Sequence, residues 1–433
     1  MHTLLYLYTP LLLSALTLSS QTTPRTPLQV TFLQPPTNTT PITIDTFAHP
    51  HRNNLGSWHG ALEDLPYTQG PNYIRLAPTD PDQTYHTQLS STTQCFNLTP
   101  YSTWYLHITF TGPPTFSISL HQHNPNCTPL SNPYPETWDS VNAAHYTLPP
   151  PAPNPHEKEN EKEMKNVYIP LSHFNISQSR VLSIALGNFY PPYSAPTTVF
   201  KIELTPSPPE GLTLPDKVPN GDLRLRCTRP GSFAFGIDDG IPALADEVRE
   251  ILESEGVQVT FFVVGRGLRD SRTGLGAFYR EMLAKGHQVG LHSDGHFKME
   301  GMESVQAIDE DIIANLATFR SVLGIESRYF RPPYGTIGAR TRERLAVHIP
   351  DPQIINWSVD IEDWMWADSD TPERQLEAFY RDVERGGNLA VLHYLGPTTV
   401  GYFREIIRFI KGKGLKIMRI DQCLKDPSAP ALV

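Results

Sequence analysis

With 433 residues, 39% of them hydrophobic and 18% charged, the chain is too long for one ordinary core and too apolar to stay unfolded, so two domains plus joining segments are expected. A formal charge of −10 with no basic tract excludes nucleic acid and an anionic membrane surface as natural partners and favours a neutral one.

In chain order, Met1 to about Ser20 form a short apolar run closed by small residues, the pattern of a secretory signal. No later segment approaches the roughly 20 apolar residues of a spanning helix. A secreted, extracellular or cell-wall-associated protein with no membrane span in its mature form is therefore expected. Sequons at Asn38, Asn97, Asn126 and Asn175 all fall in the N-terminal half and suit glycosylation in the secretory pathway, whereas Asn356 lies in an expected buried strand and should stay unmodified. The four cysteines form no CxxC pair and split two per half, so each half can hold one bridge in an oxidising compartment. The expected pairs are Cys95–Cys127 and Cys227–Cys423.

Over residues 21–205 the apolar pattern has period two, as in Trp104–Phe110, Phe116–Leu120, Val181–Leu186 and Val199–Leu204. Short strands punctuated by Pro, Asn and Gly predict an all-β sandwich. The stretch 149–166 lacks an apolar face and is expected to be a solvated loop. A proline-rich linker is expected at 206–225, and beyond it the rhythm changes. Strands are expected at 232–238, 257–264, 288–293, 328–331, 353–359, 388–393 and 415–420. Helical patterns fill most of the gaps between them, for example Ala243–Glu255, Ala277–Lys285, Met302–Leu323, Thr371–Arg385 and Val400–Lys411, and residues 428–433 form a tail. Strand–helix alternation over 226–427 predicts an α/β domain with a parallel sheet, open or closed as a barrel.

Chemistry-bearing residues follow the strands: Asp238-Asp239, His292 and His296, Arg331, Asp360 and Asp363, and His393. In a parallel barrel those ends share one face, where such folds place active sites. Two imidazoles four residues apart plus one carboxylate make a catalytic metal set with open positions. Adjacent carboxylates repel unless a cation takes up one charge. If Asp239 is the ligand, Asp238 is free to act as a base, with Arg331 to pair with and orient it. His393 is a candidate general acid if Asp363 holds it protonated.

Together Asp238-Asp239-Gly240, His292-Ser-x-x-His296, Arg331-Pro-Pro-Tyr334, Asp360-x-x-Asp363-Trp364 and Leu392-His393 resemble, in order, the five motifs of the NodB-type polysaccharide deacetylases. This carbohydrate esterase family includes chitin deacetylases, peptidoglycan deacetylases and some acetylxylan esterases. The resemblance implies a distorted (β/α)7 barrel and a divalent metal, usually zinc with cobalt an option, on Asp239, His292 and His296. It further implies that Asp238 deprotonates the attacking water, that the metal and the Tyr334 backbone N–H stabilise the oxyanion, and that His393 protonates the departing amine. Arg331 would orient Asp238, Asp363 would orient His393, and Trp364 and Val391 would line the acetyl pocket. The implied substrate is an acetylated polysaccharide or oligosaccharide, chitin or chitosan first and acetylxylan as an alternative, handled by a monomer. A carbohydrate-binding homologue with weak or no turnover is the competing reading.

Three features depart from the family pattern: Gly236-Ile237 stand before the Asp pair with Ile241 ahead of Pro242, Phe297 replaces a common Pro, and Tyr394 a common carboxylate. In the N-terminal half, Ile44–Phe47, Asn53–Trp58 and Ile169–Phe174 resemble jelly-roll domains of the galactose-binding type. Trp58, Tyr85 and Trp104 are candidates to stack on sugar, with burial in the sandwich the favoured alternative. His49, His51 and His59 are expected in loops.

Overall fold

The computed structural model describes residues 40–148, 164–193 and 195–432. Expectations for the leader, for Asn38 and for most of the 149–166 loop lie outside the described residues, although Lys165 and Asn166 open a strand rather than close a loop.

Among the described residues, eleven strands precede residue 206: β1 (Ile42–Asp45), β2 (His59–Leu62), β3 (Tyr67–Gly70), β4 (Tyr73–Leu76), β5 (Thr84–Gln88), β6 (Tyr105–Thr111), β7 (Ser117–Gln122), β8 (Thr137–Asn142), β9 (Lys165–Pro170), β10 (Val181–Gly187) and β11 (Thr197–Thr205), with the short helix α1 (Ala143–Tyr146) between β8 and β9. They form two antiparallel sheets, β3-β4-β11-β6-β9 with β1 beside β11, and β2-β5-β10-β7-β8. Alternation along each strand sends one face of each sheet into a shared core, for example Leu106, Ile108 and Phe110 from one and Ile118, Leu120, Ile184 and Leu186 from the other. Tyr85 and Trp104 belong to that core, whereas Trp58 is exposed. His49 and His51 lie in exposed bends as expected of loop residues. His59 does not: it sits on β2, buried, with Nδ1 2.6 Å from Asp45 Oδ2. The pair is buried together because an isolated Asp45 carboxylate there would be costly.

The third sheet is parallel and begins inside the expected linker, with β12 (Asp222–Arg224) paired to β17 (Gln353–Ile355). Its order is β12-β17-β16-β15-β14-β13-β19-β18, from β13 (Ser232–Asp238), β14 (Thr260–Val263), β15 (Gln288–Leu291), β16 (Tyr329–Phe330), β18 (Val359–Asp360) and β19 (Leu389–His393), with β20 (Lys416–Ile417) beside the start of β13. The run 353–359, expected as one strand, is instead two, because Asn356-Trp357-Ser358 leave the second strand from one edge of the sheet and Val359 joins the opposite edge. Four residue steps from Ile355 to Val359 reach at most about 14 Å. The sheet therefore curls until its edges nearly meet.

Period two explains the layering of β13: Phe233, Phe235 and Ile237 pack outward among helices, while Ala234, Gly236 and Asp238 line the interior. Outside the sheet, α2 (Pro242–Glu255) starts with Pro at its first turn and ends at Gly256 (φ 61°), with Leu244, Ala245, Val248, Ile251 and Leu252 on its buried stripe. Further helices are α3 (Gly265–Arg269), α4 (Leu275–Ala284), α5 (Val305–Thr318), α6 (Ala339–His348), α7 (Asp363–Trp366), α8 (Arg374–Glu384), α9 (Pro397–Gly412) and α10 (Ile420–Cys423). The expected single helix to Leu323 changes pitch after Thr318 into one π turn closed by Gly324. Among the described residues no helix is long and apolar enough to cross a membrane.

Both disulfides form in the expected pairs, Cys95–Cys127 in the sandwich and Cys227–Cys423, which ties the segment before β13 to α10. The sandwich and the parallel sheet are not merely tethered. The outer face of β7 meets α6, where Ser117 Oγ accepts from Ala339 N at 2.9 Å, and buried Arg342 of α6 reaches Asp139 Oδ1 of β8 at 3.0 Å. Arg342 also donates to the carbonyls of Gly221 and Trp138.

Candidate active site and metal centre

Parallel register brings the strand ends together: Asp238 lies opposite His393 on one side and Phe262 on the other. Asp239 N donates to Phe262 O, His292 N to Val263 O and Arg331 N to Leu291 O, so each chemistry-bearing residue is the first to step off its strand.

Asp239, His292 and His296 offer ligand atoms all within 4.8 Å of one another. His292 Nε2 lies 3.8 Å from Asp239 Oδ1, and His296 Nε2 lies 3.4 Å from Asp239 Oδ2. A four-coordinate ion at its usual ligand distances sets ligand–ligand spacings of about 3.4 Å. The three groups thus fit a divalent ion. His292 Nδ1 is 2.7 Å from the Arg331 carbonyl, which assigns the proton to Nδ1 and leaves the Nε2 lone pair on the site. Burial also holds this ring neutral, pushing its pKa down to about 4 against the pull of Asp239.

Asp238 is fully buried beside this set, its Oδ2 3.9 Å from His292 Nε2 and its Oδ1 2.7 Å from Arg331 Nη1. Burial pushes the carboxyl up, with Arg331 and His393 opposing. Arg331, 0% exposed, lies across the Phe262 ring with 4.4 Å between guanidinium carbon and centroid, and donates to the carbonyls of Ile355 and Gly236. Its seat explains one departure from the family pattern: a Cβ on Gly236 would fall 2.4 Å from both terminal guanidinium nitrogens.

On the other flank, Asp363 accepts from His393 N at 2.7 Å and holds His393 Nδ1 at 2.8 Å. Burial disfavours the charged ring, but Asp363, with Asp238 and Asp239 beyond it, outweighs burial and lifts its pKa to about 10. Asp360, whose Oδ1 accepts from Glu362 N, is pushed up to about 7 by burial and by Asp363 and Glu362.

The remaining expected residues surround this centre. Tyr334 lies with its ring centroid 4.9 Å from that of His296 and is 61% exposed. Asn356 Nδ2 donates to Gly335 O at 3.0 Å and steadies the Tyr334 turn, and Asn356 is buried as expected of an unmodified sequon. Trp364 stands beside Asp363 on the rim, 49% exposed, while Val391 is buried on the interior face of β19 between Gly236 and Asp360. Both cystine bridges lie away from the site, and Asn126 and Asn175 are exposed on the sandwich. Asp239, Ser293, His296, Tyr334 and Glu362 all have positive φ between 55° and 62°. Such conformations cost about 1–3 kcal/mol each and persist only where neighbours over-determine them.

Several of those neighbours escape the sequence motifs. Asp311 of α5 accepts from Asp294 N at 2.8 Å and Gly295 N at 2.9 Å, holding the loop between the two histidines. Its signal was a carboxylate among the helix-spaced apolar residues Ile308, Ile312 and Leu316. Tyr279 OH donates to Asp239 O at 3.0 Å and pairs with Tyr394 OH beneath it. Tyr394 fits because Gly240 has no side chain, since a Cβ there would lie 1.9 Å from the ring.

A candidate cation site, a buried carboxylate and a carboxylate-held imidazole on one strand-end face define a hydrolytic centre. The family model for polysaccharide deacetylase matches residues 226–348. A chitin deacetylase of Pestalotiopsis sp is 32% identical over 216 residues, 49% of this chain and 70% of that protein. One from Colletotrichum lindemuthianum is 28% identical over 219 residues, 48% of this chain and 86% of that protein. The solved structure of the chitin deacetylase from Colletotrichum lindemuthianum aligns with 26% identity and a TM-score of 0.44, covering 48% of this chain and 94% of that one. The chain belongs to the polysaccharide deacetylase family, hydrolases that act on the amide bonds of acetylated polysaccharides.

Proposed function

We propose that this chain is a metal-dependent extracellular deacetylase that hydrolyses the N-acetyl groups of a cell-wall glycan, with chitin as substrate. The observation that carries the reading is the register of Asp238 with His393, which sets a carboxylate and an imidazole on adjacent strands beside one candidate cation site. In this reading Asp239, His292 and His296 hold the ion, zinc first and cobalt also compatible with the donor set. When bound, it supplies Lewis-acid polarisation of the acetamide and of the attacking water.

Asp238, oriented by Arg331, takes a proton from water as the water oxygen bonds to the acetyl carbon. The Tyr334 backbone N–H donates to the oxygen that gains charge. His393, kept protonated by Asp363, passes its proton to nitrogen as the C–N bond breaks, so the products are the free amine and acetic acid. Trp364 and Val391 accept the methyl group. Chitin is favoured by the names of the relatives at 32% and 28% identity, and by exposed Tyr334 and Trp364, whose rings suit stacking on sugars.

Secretion accords with the bridged cysteines and the exposed sequons, and action as a monomer completes the reading. We read the curled sheet as a distorted (β/α)7 barrel and the strands before it as a jelly roll. The test is acetate release from chitin oligomers and from acetylated xylan, with and without chelator. Release from chitin oligomers that stops on chelation and returns with zinc supports the proposal. Binding of chitin without acetate release from either substrate replaces it with a carbohydrate-binding role.

A further inference from the structure

The turn between β4 and β5 of the sandwich reaches the rim of the candidate site. Asp80 Oδ1 and Oδ2 accept from Lys298 Nζ at 2.9 and 3.0 Å, and Asp82 Oδ2 lies 2.6 Å from the same nitrogen. Lys298 is two residues beyond His296. Asp82 also accepts from Thr336 Oγ1, two residues beyond Tyr334. One turn of the N-terminal domain thus grips both the loop that carries a candidate metal ligand and the loop that carries the candidate oxyanion donor. Lys298 Nζ lies 5.6 Å from the centroid of Tyr334, whose ring in turn leans on His296, so the two gripped loops also touch each other.

The turn is built to hold that position. Asp82 N donates to Asp80 Oδ1, and the buried Gln83 side chain accepts from Thr79 N and Asp80 N. Pro81 packs against Gly301, where a Cβ would lie 3.1 Å away, and its carbonyl accepts from Asn188 Nδ2. The loops it grips contain Ser293, His296 and Tyr334 at positive φ, conformations that need outside support.

We propose that the β4–β5 turn of the sandwich is a positioning element of the deacetylation centre, with Asp80 and Asp82 holding His296 and Tyr334 in mutual register through Lys298 and Thr336. The proposal rests on the assignment of His296 and Tyr334 made under the proposed function. It makes the N-terminal domain part of the active site rather than a separable sugar-binding module. Partly exposed ion pairs contribute little to global stability, so neutralising them leaves the fold intact and exposes the effect on geometry.

The test uses the full-length protein with isosteric D80N/D82N, with K298M and K298R, and with K217M as a control that removes another ion pair of the interdomain face, Lys217 to Asp139 at 2.6 Å. Zinc affinity is read by competition with a chromogenic chelator, independently of activity, and kcat and KM are read on chitin oligomers. D80N/D82N and K298M are expected to weaken zinc binding and lower kcat about tenfold each, with KM changing less than twofold. K298R and K217M are expected to stay near wild type in both readouts. Wild-type zinc affinity and kcat in folded D80N/D82N overturn the proposal, as does an equal loss in K217M. A change confined to KM also overturns it, because the turn would then bind substrate. If the wild-type protein binds zinc but releases no acetate, the functional reading fails while the zinc comparison still decides the proposal.

Discussion

Arg331 and Asp238 form an ion pair inside the curled sheet, 2.7 Å between Nη1 and Oδ1, with both side chains out of solvent. Removing one partner of such a pair strands the other, which costs about 3–5 kcal/mol. Arg331→Met should therefore lower the unfolding free energy by about that amount and abolish acetate release. Arg331→Lys keeps the charge but loses the planar fork that reaches Asp238 and the Ile355 and Gly236 carbonyls together. It should retain the fold with activity reduced at least about 100-fold, checked by denaturant titration alongside acetate assays.

Gly236 gives Arg331 its room. A methyl group in that space forces the guanidinium away from Asp238, an overpacking change of about 1–3 kcal/mol. Gly236→Ala is expected to lose that stability and most activity while keeping its secondary structure by circular dichroism.

Asp363 sets the charge state of His393, whose pKa it helps lift to about 10. As the proposed general acid His393 works only while protonated, so activity is expected to fall as pH rises through that pKa. Asp363→Asn removes the carboxylate that favours the charged ring, and the basic limb of the kcat profile should move to lower pH. A limb that stays in place would show that His393 is not the group titrating there.

Glu343 of α6 lies against the sandwich, 3.5 Å from His145 Nδ1, and burial together with Glu300 pushes its carboxyl up to about 8, with Arg344 and Arg340 opposing. The native state thus keeps a proton that the unfolded chain releases near its ordinary pKa of about 4.3. The contribution of Glu343 to stability should therefore decline as pH rises from that value toward 8. Glu343→Gln carries no such titration, so it should match the wild type near pH 4 and exceed it at pH 9, by on the order of 2 kcal/mol in thermal or denaturant unfolding.

The strand β13 was legible to the residue because its apolar run ends at the Asp238-Asp239 pair. The strand-end positions of the seven proposed site residues, Asp238, Asp239, His292, His296, Arg331, Asp363 and His393, were legible for the same reason, since each ends a strand or follows one closely. Pairing was not legible: 353–359 is continuously strand-like, and only the curl of the sheet decides that its halves lie near opposite edges. The burial of α6 was not legible, because arginines carry no local sign of burial, whereas Arg340 and Arg342 are buried against carbonyls, Tyr190 and Asp139. Contacts such as Lys298 with Asp80, 218 residues apart, leave no local pattern at all.

The central claim is that Asp238 is the base of a hydrolytic centre built on Asp239, His292 and His296. It is tested most directly by acetate release from a chitin oligomer by zinc-loaded wild type and Asp238→Asn, at equal zinc occupancy. The account predicts one acetate per free amine from the wild type and a loss of at least about 100-fold in the variant. Equal rates in the two proteins, or no acetate from the zinc-loaded wild type, would contradict it.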